Sequence, residues 1–71
     1  MSVENMLVEI IVRETLDQRW SVWFEDLTLT ALRDGKTMLS GSVRDQAALH
    51  GILGRIRDLN LNLVSVISEE E

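Results

Sequence analysis

The stretch LTLTALRDGKTMLSGSV, residues 27–43, decides the fold. Asp34-Gly35 separates two runs in which apolar and polar residues alternate, the pattern of a β-hairpin. Two loops fit, and they build different cores. A two-residue Asp34-Gly35 loop pairs Leu29 with Ser40 and Ala31 with Met38, scattering apolar side chains over both faces. A three-residue loop, Arg33-Asp34-Gly35 with Gly35 left-handed, pairs Leu29 with Leu39 and Leu27 with Gly41. It gathers Leu27, Leu29, Ala31, Leu39 and Val43 on one face and leaves Thr28, Thr30, Ser40 and Ser42 on the other, as a half-buried hairpin requires. The three-residue loop is the expected one.

Before the hairpin, MLVEIIVR (6–13) puts Met6, Val8, Ile10 and Val12 on one face, while Leu7 and Ile11 make the other apolar too. This reads as a strand covered on both sides. In TLDQRWSVWFEDL the period changes: Leu16, Trp20, Trp23, Phe24 and Leu27 recur as one helical face, with Asp17 as N-cap of a short helix over about 17–25. After the hairpin, Asp45 caps a second helix whose buried stripe is Leu49, Ile52, Leu53, Ile56 and Leu59, and Asn60 ends it in a left-handed turn. LNLVSVIS then forms a last strand, with Leu61, Leu63 and Ile67 opposing Val64 and Val66, before Glu69–Glu71, expected to be solvated and frayed.

The order is strand, short helix, strand, strand, helix, strand. Right-handed crossovers place both helices on one face of a four-stranded antiparallel sheet, an α+β, ferredoxin-like βαββαβ arrangement with first and last strands adjacent. One domain spans 1–71, with an ordered core of about 5–68.

A chain of 71 residues buries only about 60% of the surface it exposes when unfolded, so a lone core is marginal. The usual supplements are disulfides, a structural metal or association. Cysteine is absent and His50 is the single histidine, which leaves association. Charge of −5 argues against a phosphate backbone as partner, because that affinity rests on Lys and Arg. No apolar run reaches the length of a membrane span, and MSVENMLVE lacks the basic start of a secretory signal, so a cytoplasmic protein is expected.

The second helix, DQAALHGILGRIRDL, carries Gly51 and Gly54 on the side away from its apolar stripe, with Ala47 and Asp58. Each glycine costs about 1 kcal/mol relative to alanine there. Either an exposed face tolerates them, or Asp45, Ala47, His50, Gly51 and Gly54 form a small-residue face that a partner or ligand approaches closely.

Candidate chemistry is sparse. His50 has no second histidine or cysteine beside it, and Ser40, Ser42, Ser65 and Ser68 lack a GxSxG elbow. The carboxylates Glu25 and Asp26, or Glu69–Glu71, show no pattern that separates an acid from a base. No catalytic residue, metal ligand or cofactor is expected. Trp20, Trp23 and Phe24 read as core, with a tryptophan–Arg19 groove as the functional alternative. Arg44, Arg55 and Arg57 form the only basic cluster, and Asp45 and Asp58 offset it.

Two strings, LDQRWSVWFEDLTLT (16–30) and DGKTMLSGSVRDQAALHGILGRIRDL (34–59), resemble a widespread family of short uncharacterised bacterial proteins. That family carries LD-x-RW-x-x-WF and DQAALHG-(L/I)-L-x-(R/K)-(I/V)-RDL segments, and the resemblance covers about 16–67. It implies that Trp20, Trp23, Asp45, His50 and Gly51 belong to the family pattern. This sequence departs where the family has proline at the position of Gln18 and glycines at those of Asp26 and Asn60. At the level of fold alone, the arrangement is similar to ACT-like regulatory domains, which pair and bind amino acids between copies.

The expectation is a non-enzymatic protein that self-associates as a homodimer or higher oligomer through the sheet face opposite the helices, acting as an interaction or accessory module. Leu7 and Ile11 mark that face, with either Val64 and Val66 or Leu63 and Ile67, the first pair being preferred. An unidentified protein is the other possible partner. The alternatives are an ACT-like small-molecule sensor, its ligand near Asp45 and Gly51, and an RNA or anion binder using Arg44, Arg55 and Arg57.

Overall fold

A computed structural model describes residues 5–24 and 26–70. Four strands, β1 (Met6–Val12), β2 (Thr28–Ala31), β3 (Thr37–Val43) and β4 (Leu63–Glu70), form one antiparallel sheet in the order β2-β3-β1-β4. A 3-10 helix, Gln18–Trp23, lies between β1 and β2, and the α-helix α1, Gln46–Asp58, lies between β3 and β4. The fold is therefore α+β with one α-helix.

The hairpin has the three-residue loop. Leu29 pairs with Leu39, and Leu32 N–H donates to the Lys36 carbonyl at 2.8 Å. Gly35 takes φ +88°, a conformation that a side chain would strain. Leu27, Leu29, Leu39 and Val43 are buried as the register requires. Ala31 is the exception: at the end of the edge strand β2 it is exposed.

The first helix differs from the periodic expectation of an α-helix over about 17–25. Its hydrogen bonds are i to i+3, Trp20 N–H to Asp17 O and Phe24 N–H to Ser21 O, both 3.1 Å. Six residues containing a serine, a β-branched valine and two tryptophans have little intrinsic preference for a longer α-helix. The tighter winding spreads the apolar set. Leu16, Phe24 and Leu27 are buried and Trp20 packs against the core, but Trp23 stays half exposed.

Both helix starts are capped as the sequence suggests, by Asp17 on Arg19 N–H and Asp45 on Ala48 N–H, each at 2.9 Å. Asn60, at φ 65°, closes α1: its N–H reaches Arg57 O and Leu61 N–H reaches Ile56 O. These two bonds satisfy carbonyls that the helix end leaves free.

The core lies between the sheet and the helical layer. Val8, Ile10, Val12 and Leu39 are almost wholly buried beneath Leu49 and Ile56 of α1 and Leu16 and Phe24 of the first crossover. Thr37, buried among them, is a polar exception that the sequence did not flag. Its Oγ1 accepts from Leu16 N–H at 2.9 Å and donates to Glu14 O at 2.8 Å, pinning the turn that leaves β1. Gly41 is required by close approach: a Cβ there would lie 2.8 Å from the Asp26 carbonyl oxygen.

Two further corrections concern β4. It continues through Glu70, opposite Met6, so Glu69 and Glu70 belong to the strand rather than to a frayed end. Glu71, like Glu25 and residues 1–4, lies outside the described residues. A bulge also breaks the register with β1: Ser65 opposes Ile11, but the next partner, of Val12, is Leu63. Val64 is the extra residue.

Candidate functional site

Alternation along the paired strands fixes what the uncovered side of the sheet presents. Cross-strand partners point to the same side. Leu7, Glu9 and Ile11 of β1 therefore share that face with Ser42, Ser40 and Met38 of β3 and with Glu69, Ile67 and Ser65 of β4. Thr28 and Thr30 of β2 complete it through their pairs with Ser40 and Met38. The face divides into a hydroxyl-rich half on β2 and β3 and an apolar, acidic half on β1 and β4. In that second half Leu7 is 45% exposed and Ile67 54%. With Glu9 and Glu69 they line a shallow groove of about 240 Å³.

This geometry corrects the preferred assignment of β4. Val66 opposes Ile10 and packs against the core, so it belongs to the helix-covered side, and Ile67 is the residue that joins Leu7 and Ile11. Ile11 is half-buried. Val64, at the bulge, is exposed, as is Leu63. Period-two reasoning cannot place a strand that is apolar on both faces until its register with a neighbour is known.

None of the eight residues of β4 is buried, although Leu63, Val64, Val66 and Ile67 are apolar and the facing β1 residues Val8, Ile10 and Val12 are almost wholly buried. The helical elements, one α-helix and a six-residue 3-10 helix, leave every residue of this strand at least partly exposed. Its outer edge pairs with no other strand of the sheet.

Along α1, Asp45, Ala47, His50 and Gly51 are exposed and Gly54 is half-buried. A Cβ at Gly51 or Gly54 would meet nothing within 4 Å. Nothing among the described residues therefore requires glycine at either position. The amide that Asp45 caps is already used by the chain's own carboxylate.

Gly51 does line a depression of about 560 Å³ between α1 and the end of β3, together with Ala48, Ile52, Asp26, Arg44 and Arg55. The structure thus brings Arg44 and Arg55 to one place. Arg55 Nη1 donates to Trp23 O at 2.7 Å, tying α1 to the end of the 3-10 helix. Arg57 lies 3.9 Å from Asp58 in a solvent-exposed pair. A second groove, about 270 Å³, is lined by Arg19, Trp20 and Trp23, with the Arg19 guanidinium bonded to Asp17 at 2.9 Å. That hydrogen bond lowers the Asp17 carboxyl below its ordinary value and raises Arg19.

One polar constellation escaped the sequence reading. The Glu14 carboxylate accepts from Asn62 N–H, at 3.0 and 3.1 Å, and from Asn62 Nδ2 at 2.6 Å. Arg13 N–H donates to Asn62 O at 2.8 Å, so this clasp ties the end of β1 to the start of β4. The Asn62 amide bonds hold the Glu14 carboxyl below its usual range. Residues 48 apart in sequence give no local sign of such a contact.

Among the described residues, no group of three or more His, Cys, Asp or Glu comes together to hold a metal ion, and no helix is long and apolar enough to cross a membrane. Neither a curated protein nor a solved structure matches the chain. Residues 7–67, most of its length, match the family described as a domain of unknown function, DUF8691, and the chain belongs to that family.

Proposed function

We propose that this protein is a non-catalytic module that works by associating with a second copy of itself through the β1–β4 side of its sheet. One observation carries the reading: β4, half of whose residues are apolar, has none of its eight residues buried. At about 25 cal/mol per Å² of apolar surface, covering Leu63, Val64 and Ile67 is worth several kcal/mol, comparable to the net stability of a domain this small. Association supplies what a cysteine-free chain of this length otherwise lacks.

The strand order β2-β3-β1-β4, with a helical element in each crossover, supports a ferredoxin-like frame for this module. An ACT-like ligand site at the start of α1 has less support, since Asp45 takes the place a ligand carboxylate would occupy. An RNA-binding role draws on Arg44 and Arg55 alone, because Arg57 is turned toward Asp58.

Light scattering on the purified chain across a dilution series tests the proposal. A mass near twice 8.1 kDa that falls only on strong dilution is the expected result. A monomer at every concentration overturns it.

A further inference from the structure

Resting on self-association, we infer its geometry: β4 pairs antiparallel, edge to edge, with β4 of a second copy about a two-fold axis at Ser65, joining two four-stranded sheets into one of eight. A two-fold interface must be self-complementary, residue i meeting j where j meets i. The run Leu63-Val64-Ser65-Val66-Ile67 has that property. With Ser65 on the axis, Val64 comes opposite the partner's Val66, while the bulge sets Leu63 on the Val12 side of the sheet and Ile67 on the Glu9 side, so each adds aliphatic surface to its own face of the joined sheet. Leu63, Val64 and Ile67, between 43% and 54% exposed in the single chain, all lie in this run.

Charge selects this arrangement over its competitors. The same register carries Glu69 and Glu70 past the apolar run, opposite the partner's Leu61 and Asn60, at the two far ends of the ribbon. A parallel pairing would set these glutamates against their own copies. Stacking the two uncovered sheet faces would bring Glu9 and Glu69 of both copies onto one apolar contact. No lysine or arginine occupies a strand position on that face to offset them. Burying four unpaired carboxylates costs more than the contact of Leu7 and Ile67 returns. Edge pairing leaves those carboxylates in water and satisfies the free backbone groups of β4 as well.

Because the chain has no cysteine, single-cysteine variants report this geometry directly. Residues facing each other across an antiparallel pair have Cα atoms about 4.5–5.5 Å apart, within the span of a disulfide. Ser65→Cys, a nearly isosteric change, is expected to cross-link into a covalent dimer under mild oxidation. In Ser68→Cys the two sulfurs would lie about 20 Å apart, at about 3.3 Å per residue, and cross-link more than about tenfold more slowly. Leu7→Cys probes face stacking. A dimer by light scattering in which Leu7→Cys cross-links and Ser65→Cys does not overturns edge pairing while leaving self-association intact. So does a dimer in which Ser65→Cys and Ser68→Cys react equally fast, or in which no variant cross-links. A monomer by light scattering removes the underlying reading itself.

Discussion

Replacing Gly51 and Gly54 with alanine decides whether the outer face of α1 is in contact with anything. Both glycines are interior to a 13-residue helix, and neither has a positive φ. A Cβ at either position enters open space, so alanine adds no clash and removes the entropic cost of glycine, about 1 kcal/mol at each site. The double variant gains about 2 kcal/mol. For a domain of this size that raises the melting temperature by roughly 8–16 °C. It also moves the urea midpoint up by about 1 M per substitution if the m-value is near 1 kcal/mol per M. Unfolding is followed by circular dichroism at one fixed protein concentration, since association adds its own stabilisation. Gly41→Ala is the control in the opposite direction. Its Cβ would lie 2.8 Å from Asp26 O and 3.0 Å from Leu27 Cδ2, and overpacking of this kind costs about 1–3 kcal/mol. A double variant no more stable than the parent would refute the reasoning. It would mean that a second backbone approaches this face in solution, and that Asp45, Ala47, His50, Gly51 and Gly54 form a contact surface after all.

Thr37→Val keeps shape but strips the hydroxyl that joins Leu16 N–H to Glu14 O. It is expected to cost about 2–3 kcal/mol in urea unfolding through the two backbone groups left unpaired. Thr37→Ser, which keeps both bonds and loses a methyl, costs about 1 kcal/mol, and a larger loss in the serine variant than in the valine variant contradicts the account. Glu14 supplies a pH test. Its carboxyl is held below the ordinary value by Asn62, so the ionised form is favoured in the folded chain. Its contribution is present above about pH 4.3, the unfolded value, and is lost as pH falls through the lower folded value. The stability gap between the parent and Glu14→Gln should therefore narrow as the pH falls below about 4.3. A gap that is constant over that range argues against the clasp.

What the sequence by itself determined is whatever short-range physics dictates. The Asp34-Gly35 turn with its three-residue loop, the caps at Asp17 and Asp45, the left-handed stop at Asn60 and the alternating β1 strand each depend on residues a few positions apart. The stripe of α1 follows from the same local periodicity, and so does the open side of Gly51 and Gly54. The tertiary structure decided the rest, because those features depend on partners distant in sequence. The first crossover winds as a 3-10 helix under the hold of Leu16 and Phe24 on the core, leaving Trp23 half exposed. Thr37 is buried only because Glu14 and Leu16 close over it. Above all, LVSVI is apolar on both sides, so its own alternation is ambiguous. Pairing with β1, the bulge at Val64 and the clasp of Glu14 on Asn62 send Val66 toward the core and Ile67 to the uncovered face. A one-residue shift in that register would exchange them.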